Sequence, residues 1–110
     1  MANYYTIIKA SKQQLQEGEK ISASCFGVTK LDTGSIIKAV ILTTNKRICL
    51  FLVRGDSVGG ASMNFENVLA VRLFNDNKSL KIKSRLGEMY LQMISAGEPE
   101  KVRSIIQDHF

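Results

Sequence analysis

The chain is short of the residues that build chemical sites. It holds one histidine, His109, and two cysteines among 110 residues. A catalytic or metal-binding histidine must be held rigidly beside its partners, and a position next to the last residue is a poor mount. His109 therefore reads as solvent-facing or as a stabiliser of a helix end. Cys25 and Cys49 have no Cys-x-x-Cys spacing and too few histidines to complete a zinc site. Both lie in apolar, strand-like runs and read as buried free thiols that pack as small hydrophobes. No apolar run approaches the roughly 20 residues needed to span a bilayer. The opening MANYYTIIKASK lacks a basic stretch followed by a long apolar one, so no secretory signal is expected. A cytoplasmic location is the simplest expectation, and a disulfide would be unusual there. Gly59-Gly60 lacks the spacing of a phosphate loop or a dinucleotide fingerprint and reads as a mobile hairpin tip. Arg54-Gly55-Asp56 spells an integrin-type tripeptide, but turn chemistry accounts for it. No cofactor and no catalytic residue is expected.

What is present is ordinary globular material, 45% apolar and 23% charged. The length suits one domain, 1–110, with one hydrophobic core and no disulfide staples. The net charge of +5 is compatible with anionic partners without requiring one.

The strongest local signal is Ala39 to Arg54, AVILTTNKRICLFLVR. Two β-branched-rich runs flank a polar break, and Asn45-Lys46 can form the corner of a tight hairpin, because Asn tolerates left-handed angles. Such a hairpin must be covered on at least one face. Upstream, SKQQLQE over Ser11 to Glu17 predicts a short helix with Ser11 as N-cap and Gly18 as its stop. Glu19 to Thr29 predicts the first strand, with Ile21, Ala23 and Cys25 on one face. Gly27 marks a bulge or a close approach. Downstream, strands are predicted over Ala61 to Phe65, Val68 to Phe74, Ser79 to Arg85 and Glu88 to Ile94. Asn75 to Lys78 is a strong turn signal. Val71 and Leu73 share a face, Leu80 and Ile82 point in while Lys81 and Lys83 point out, and Met89, Leu91 and Met93 share a face. The period then changes. Pro99 opens a helix whose stripe is Val102, Ile105, Ile106 and Phe110.

The expected architecture is mainly β: seven antiparallel strands closed into a barrel over 19–94, a capping helix over 98–110, and an arm with a short helix over 1–18. That layout resembles the pleckstrin-homology (PH) superfold, and in detail the bacterial PH-like domains of the YokE type. Three segments carry the likeness. Leu15 to Ile21, LQEGEKI, looks like that family's entry to the first strand. Leu42 to Phe51, LTTNKRICLF, looks like its second hairpin. Phe65 to Val71, FENVLAV, looks like its entry to the fifth strand. The resemblance implies a non-enzymatic binding or assembly module.

Two surfaces are candidates. Tyr4, Tyr5, Ile7 and Ile8 are more apolar than a free tail needs, so they either contact a protein partner, a second copy included, or fold back on the body. Lys30, Lys38, Lys46, Arg47, Arg54, Lys78, Lys81, Lys83 and Arg85 form a candidate anion or membrane patch. Against it stands edge or outer-face protection by lysine, which limits sheet aggregation. Specific phosphoinositide recognition is disfavoured, because Leu31, Asp32 and Thr33 separate Lys30 from Lys38. Nucleic acid is disfavoured too, since Phe26, Phe51, Phe65, Phe74 and Tyr90 read as core or near-core positions. The primary expectation is protein interaction or self-assembly. Peripheral binding to an anionic membrane is the alternative.

Overall fold

The computed structural model describes residues 4–55 and 57–110. Met1 to Asn3 of the arm, and Asp56 of the Arg54-Gly55-Asp56 tripeptide, lie outside the described residues. Helix α1 spans Tyr4–Lys12. It is followed by β1 (Ile21–Lys30), β2 (Ile36–Thr44), β3 (Ile48–Arg54), β4 (Ser57–Met63), a 3₁₀ turn over Phe65–Asn67, β5 (Val68–Phe74), β6 (Ser79–Ser84), β7 (Gly87–Gly97) and α2 (Pro99–Gln107). The strands form one antiparallel sheet in the order β4-β3-β2-β1-β7-β6-β5. The expected count of seven strands and a terminal helix is present. Closure is not: β4 and β5 are the two ends of an open sheet, and no ladder among the described residues joins them. The 3₁₀ turn links these end strands directly, so the sheet must bend to bring its two ends together there.

Two apolar clusters sit on opposite faces. The inner one takes Ala23 and Cys25 from β1, Ile41 from β2, Ile48 from β3, Leu80 and Ile82 from β6, and Met89 and Leu91 from β7. Val102 and Ile106 of α2 close it, both fully buried. Val71 and Leu73 pack against it as the alternation predicts. The outer cluster is Val40, Leu42, Cys49, Phe51 and Val58, covered by Ile7 of α1. Strand β2 is thus buried on both faces from Ala39 to Thr44. This is why its sequence is a continuous apolar run rather than an alternating one.

Several expectations need correction. The N-terminal helix lies over Tyr4–Lys12, not Ser11 to Glu17. Packing decides it. Ile7 finds a buried seat on the outer face, whereas Ser11 to Glu17 offers only Leu15, and propensity alone does not hold so short a helix. Ser11 is inside the helix rather than at its cap, its hydroxyl donating back to the Ile7 carbonyl at 2.8 Å. Ile21 leaves the face of Ala23 and Cys25. The register slips between Ile21 and Ala23, and Ile21 packs with the outer cluster instead. Met93 leaves the face of Met89 and Leu91, with φ +53° and 70% exposure. Between Phe26↔Ala96 and Val28↔Gln92, β7 spends residues 93–95 against the single Gly27. Gly27 is required there, because a Cβ would lie 2.5 Å from the Gln92 carbonyl oxygen. Gly59 and Gly60 are not a hairpin tip: they pair with Leu52 and Phe51 inside β4. Phe110 is 67% exposed, since α2 ends at Gln107 and the helical spacing stops with it.

Candidate functional site

The β2–β3 corner is built by side chains, not by left-handed backbone. Asn45 has no positive φ; the left-handed run is at Asn75, Asp76 and Asn77 instead. Thr44 Oγ1 accepts the Lys46 and Arg47 backbone N–H groups at 3.0 Å each and donates to Glu19 Oε2 at 2.6 Å. Asn45 Oδ1 accepts the Lys20 N–H, and Asn45 Nδ2 donates to the Gly18 carbonyl. Lys46 Nζ donates to the Glu17 carbonyl at 3.0 Å. The Gln-Glu-Gly-Glu-Lys segment and the Thr-Asn-Lys-Arg corner, two of the three segments behind the family resemblance, thus interlock.

Arg47 and Glu19 are the centre of this junction. Arg47 Nε donates to Glu19 Oε2 at 2.9 Å and Nη2 to Oε1 at 3.1 Å, a bidentate pair. The Glu19 side chain is fully buried, and the Gln16 N–H also donates to it. Burial pushes the Glu19 pKa up, but the hydrogen bonds from Arg47, Thr44 and Gln16 outweigh it and hold the pKa at about 2. Arg47 reaches on to Ser62 of β4 and to the Gln14 carbonyl. It is therefore a structural ion, committed within the fold, and not a free member of the basic patch.

The remaining basic residues do not make one surface. Lys30 ends β1, Lys38 sits exposed near the start of β2 and Arg54 ends β3, all at one end of the sheet, whereas Lys46 lies at the opposite end of the β2–β3 hairpin. Lys78 and Arg85 flank the two ends of β6. Lys81 and Lys83 share the exposed face of β6 as expected, with Lys81 Nζ 3.5 Å from Glu88 Oε2. Of the apolar arm, Ile7 is buried beneath α1, Tyr4 and Ile8 pack against the same cluster, and Tyr5 stays 81% exposed. Tyr4 also hydrogen-bonds Ser24. The arm mostly folds back on its own sheet. His109 stacks on Phe65 with ring centroids 3.8 Å apart, and its Nδ1 meets the Ile105 carbonyl at 2.9 Å, fixing the end of α2. Both cysteines are free and buried, on opposite faces of the sheet.

The open edge is the most distinctive surface. Strand β4 reads Ser-Val-Gly-Gly-Ala-Ser-Met, without a charge or a proline. Natural edges are usually guarded by such residues. Gly59 lies beside Leu52 and Ala61 beside Leu50. These small neighbours leave both leucines partly uncovered, although they face the inner core. A cleft of about 400 Å³ opens over them, bounded by Gly60, Lys30 and Asp32, with Glu88 and Tyr90 of β7 across it. At the other end of the sheet, the β5 edge carries Arg72 and a bulge that turns Leu69 outward. The sequence predicts a strand over Ala61 to Phe65 but reads Gly59-Gly60 as a hairpin tip, so only the second half of the β4 edge, Ser57–Met63, is anticipated. Before Ala61, the alternation of Val58 and Gly60 against Ser57 and Gly59 carries too little apolar contrast to mark a strand.

No protein-family model matches the chain, and no curated protein matches it in sequence. Among solved structures, it is similar to the C-terminal domain of an unknown protein from Leishmania infantum. The TM-score is 0.62 at 10% identity, over 92% of this chain and 91% of that one. At that identity the likeness is one of fold alone. No helix among the described residues is long and apolar enough to cross a membrane.

Proposed function

We propose that the protein is a non-enzymatic binding module of the PH-like kind, that its working surface is the β4 edge, and that its partner is a second copy of the same chain. The strand order and the terminal helix support the PH-like reading, as does the interlocking of the LQEGEKI and LTTNKRICLF segments. The observation that carries the association is the uncharged, proline-free edge of β4 beside the part-exposed Leu50 and Leu52. An unpaired edge offers a row of N–H and C=O groups to another strand. Antiparallel β4–β4 pairing about Gly60 is self-complementary, as a two-fold interface must be. It brings no like charges together along the paired strands and covers the leucines. Two buried free thiols favour a reducing compartment, which supports a cytoplasmic module. The cations lie in separate places, so attachment to an anionic membrane draws less support.

Light scattering across a wide concentration range tests the reading. The native chain is expected to rise toward a dimer. Ala61→Lys, an exposed change at the middle of the edge, is expected to stay monomeric with its melting temperature at monomer concentrations unchanged. A native chain that remains monomeric throughout, or an Ala61→Lys variant that associates equally well, contradicts the proposal.

A further inference from the structure

Phe74 and Tyr90 are not core residues. Neither belongs to the inner or the outer apolar cluster. Period two places Phe74 and Arg72 on the face of β5 opposite Val71 and Leu73. The register sets Arg72 against Lys81, and Lys81 against Tyr90. One row of the outer face of β5-β6-β7 is therefore Arg72, Lys81 and Tyr90. Phe74 lies next to it, its ring 6.1 Å from Tyr90 and stacked at 28°. The Arg72 guanidinium sits over the Phe74 ring at 4.9 Å. Lys83 follows Lys81 on the same face, two residues or about 6.8 Å along the strand.

We infer that this face is a binding platform for single-stranded nucleic acid. Two half-buried rings and a guanidinium group sit together on one face of the sheet and offer stacking surfaces for unpaired bases. Lys81 and Lys83 stand beside them at a spacing that suits consecutive phosphates of an extended strand. Glu88, set opposite Lys83 by the register, is a carboxylate on this patch, and its exposed contact with Lys81 is long enough to be given up. The rings are half-buried and do not protrude, so the face suits a stacked polyanion better than insertion into a lipid surface. The platform meets the cleft beside the β4 edge at Tyr90 and Glu88, which border both, whereas Arg72, Phe74, Lys81 and Lys83 do not line that cleft; the inference does not rest on association at the edge.

Fluorescence anisotropy with a labelled oligothymidylate of about 10 nucleotides tests this. Binding is expected at low salt, with log K falling against log salt at a slope of about −2, as for three phosphates neutralised by Arg72, Lys81 and Lys83. Tyr90→Ala is expected to weaken binding by roughly tenfold. Arg72→Glu, an exposed change that leaves the core intact, is expected to weaken it at least as much and to flatten the salt slope. No binding at low salt overturns the inference. So does binding that survives Tyr90→Ala and Arg72→Glu unchanged, since that is charge attraction without a platform. Equal affinity for the oligonucleotide and for phosphatidylserine vesicles, with the same indifference to Tyr90, assigns the face to anionic membranes instead and overturns it as well.

Discussion

Glu19 and Arg47 are joined by two parallel hydrogen bonds of 2.9 and 3.1 Å, and they tie the entry to β1 to the corner between β2 and β3. With the Glu19 carboxylate fully buried and the Arg47 side chain 18% exposed, this is the one buried ion pair among the described residues. Removing one partner leaves the other charged and desolvated. Glu19→Gln is expected to cost about 3 kcal/mol of stability, read as a shift of the urea midpoint. Arg47→Met is expected to cost a similar amount, and the double variant less than the sum, because each single change already breaks the pair. Additive effects would show that the pair is incidental.

The same carboxylate makes stability depend on acid. Its pKa falls from the usual value near 4.5 to about 2 on folding. A lowered folded-state pKa stabilises the fold above the unfolded value, and that contribution is lost as pH falls through the folded one. The stability gap between the native chain and Glu19→Gln is expected to be full above pH 4.5 and to narrow steadily toward pH 2. A gap that does not change over this interval would contradict the assignment.

The thiols are expected to be inert in the folded state. Burial pushes Cys25 up to about 12. Burial also raises Cys49, and although nearby Arg47 opposes the shift, it still reaches about 11. A thiolate-selective reagent at neutral pH should label neither until the chain unfolds, and both together once it does. Fast labelling of the folded protein at either position would show that the sheet face over it is open.

The β7 bulge sets two opposite backbone effects side by side. Gly27→Ala is expected to destabilise by about 2 kcal/mol, because the new Cβ would meet the Gln92 carbonyl oxygen at 2.5 Å. Met93→Gly is expected to stabilise by about 0.5–1 kcal/mol, because Met93 is held at φ +53° with its side chain in solvent. Thermal melting of the two variants checks both signs.

Much of this fold is legible in the sequence where contrast between neighbouring residues is strong. Lys81 and Lys83 against Leu80 and Ile82, or Val102 and Ile106 after Pro99, announce their faces without help. Reading fails where the local pattern is overruled by something distant. Ile21 and Met93 follow a strict alternation that bulges break, and a bulge is set by the partner strand rather than by the residues themselves. Tyr4 to Lys12 becomes helical because an apolar seat exists on β2 and β3, and nothing in YYTIIKASK reports that seat. Of the nominated surface residues, Lys81 and Lys83 share a face as expected, but Arg47 is bound to a carboxylate 28 positions earlier. Phe74 and Tyr90 read as core or near-core because an aromatic residue in a strand usually is, yet neither joins a core cluster. Only the alternation of Phe74 with Leu73, read strictly, would have turned it outward.

Backbone hydrogen exchange along Ser57 to Met63, measured at low and high protein concentration, tests the central claim most directly. In a lone subunit, the β4 amides that do not pair with β3 face water and exchange fast. The account predicts that these amides become protected as concentration rises, that β5 amides do not, and that Ala61→Lys abolishes the effect. Fast exchange of the outward β4 amides at every concentration would contradict it.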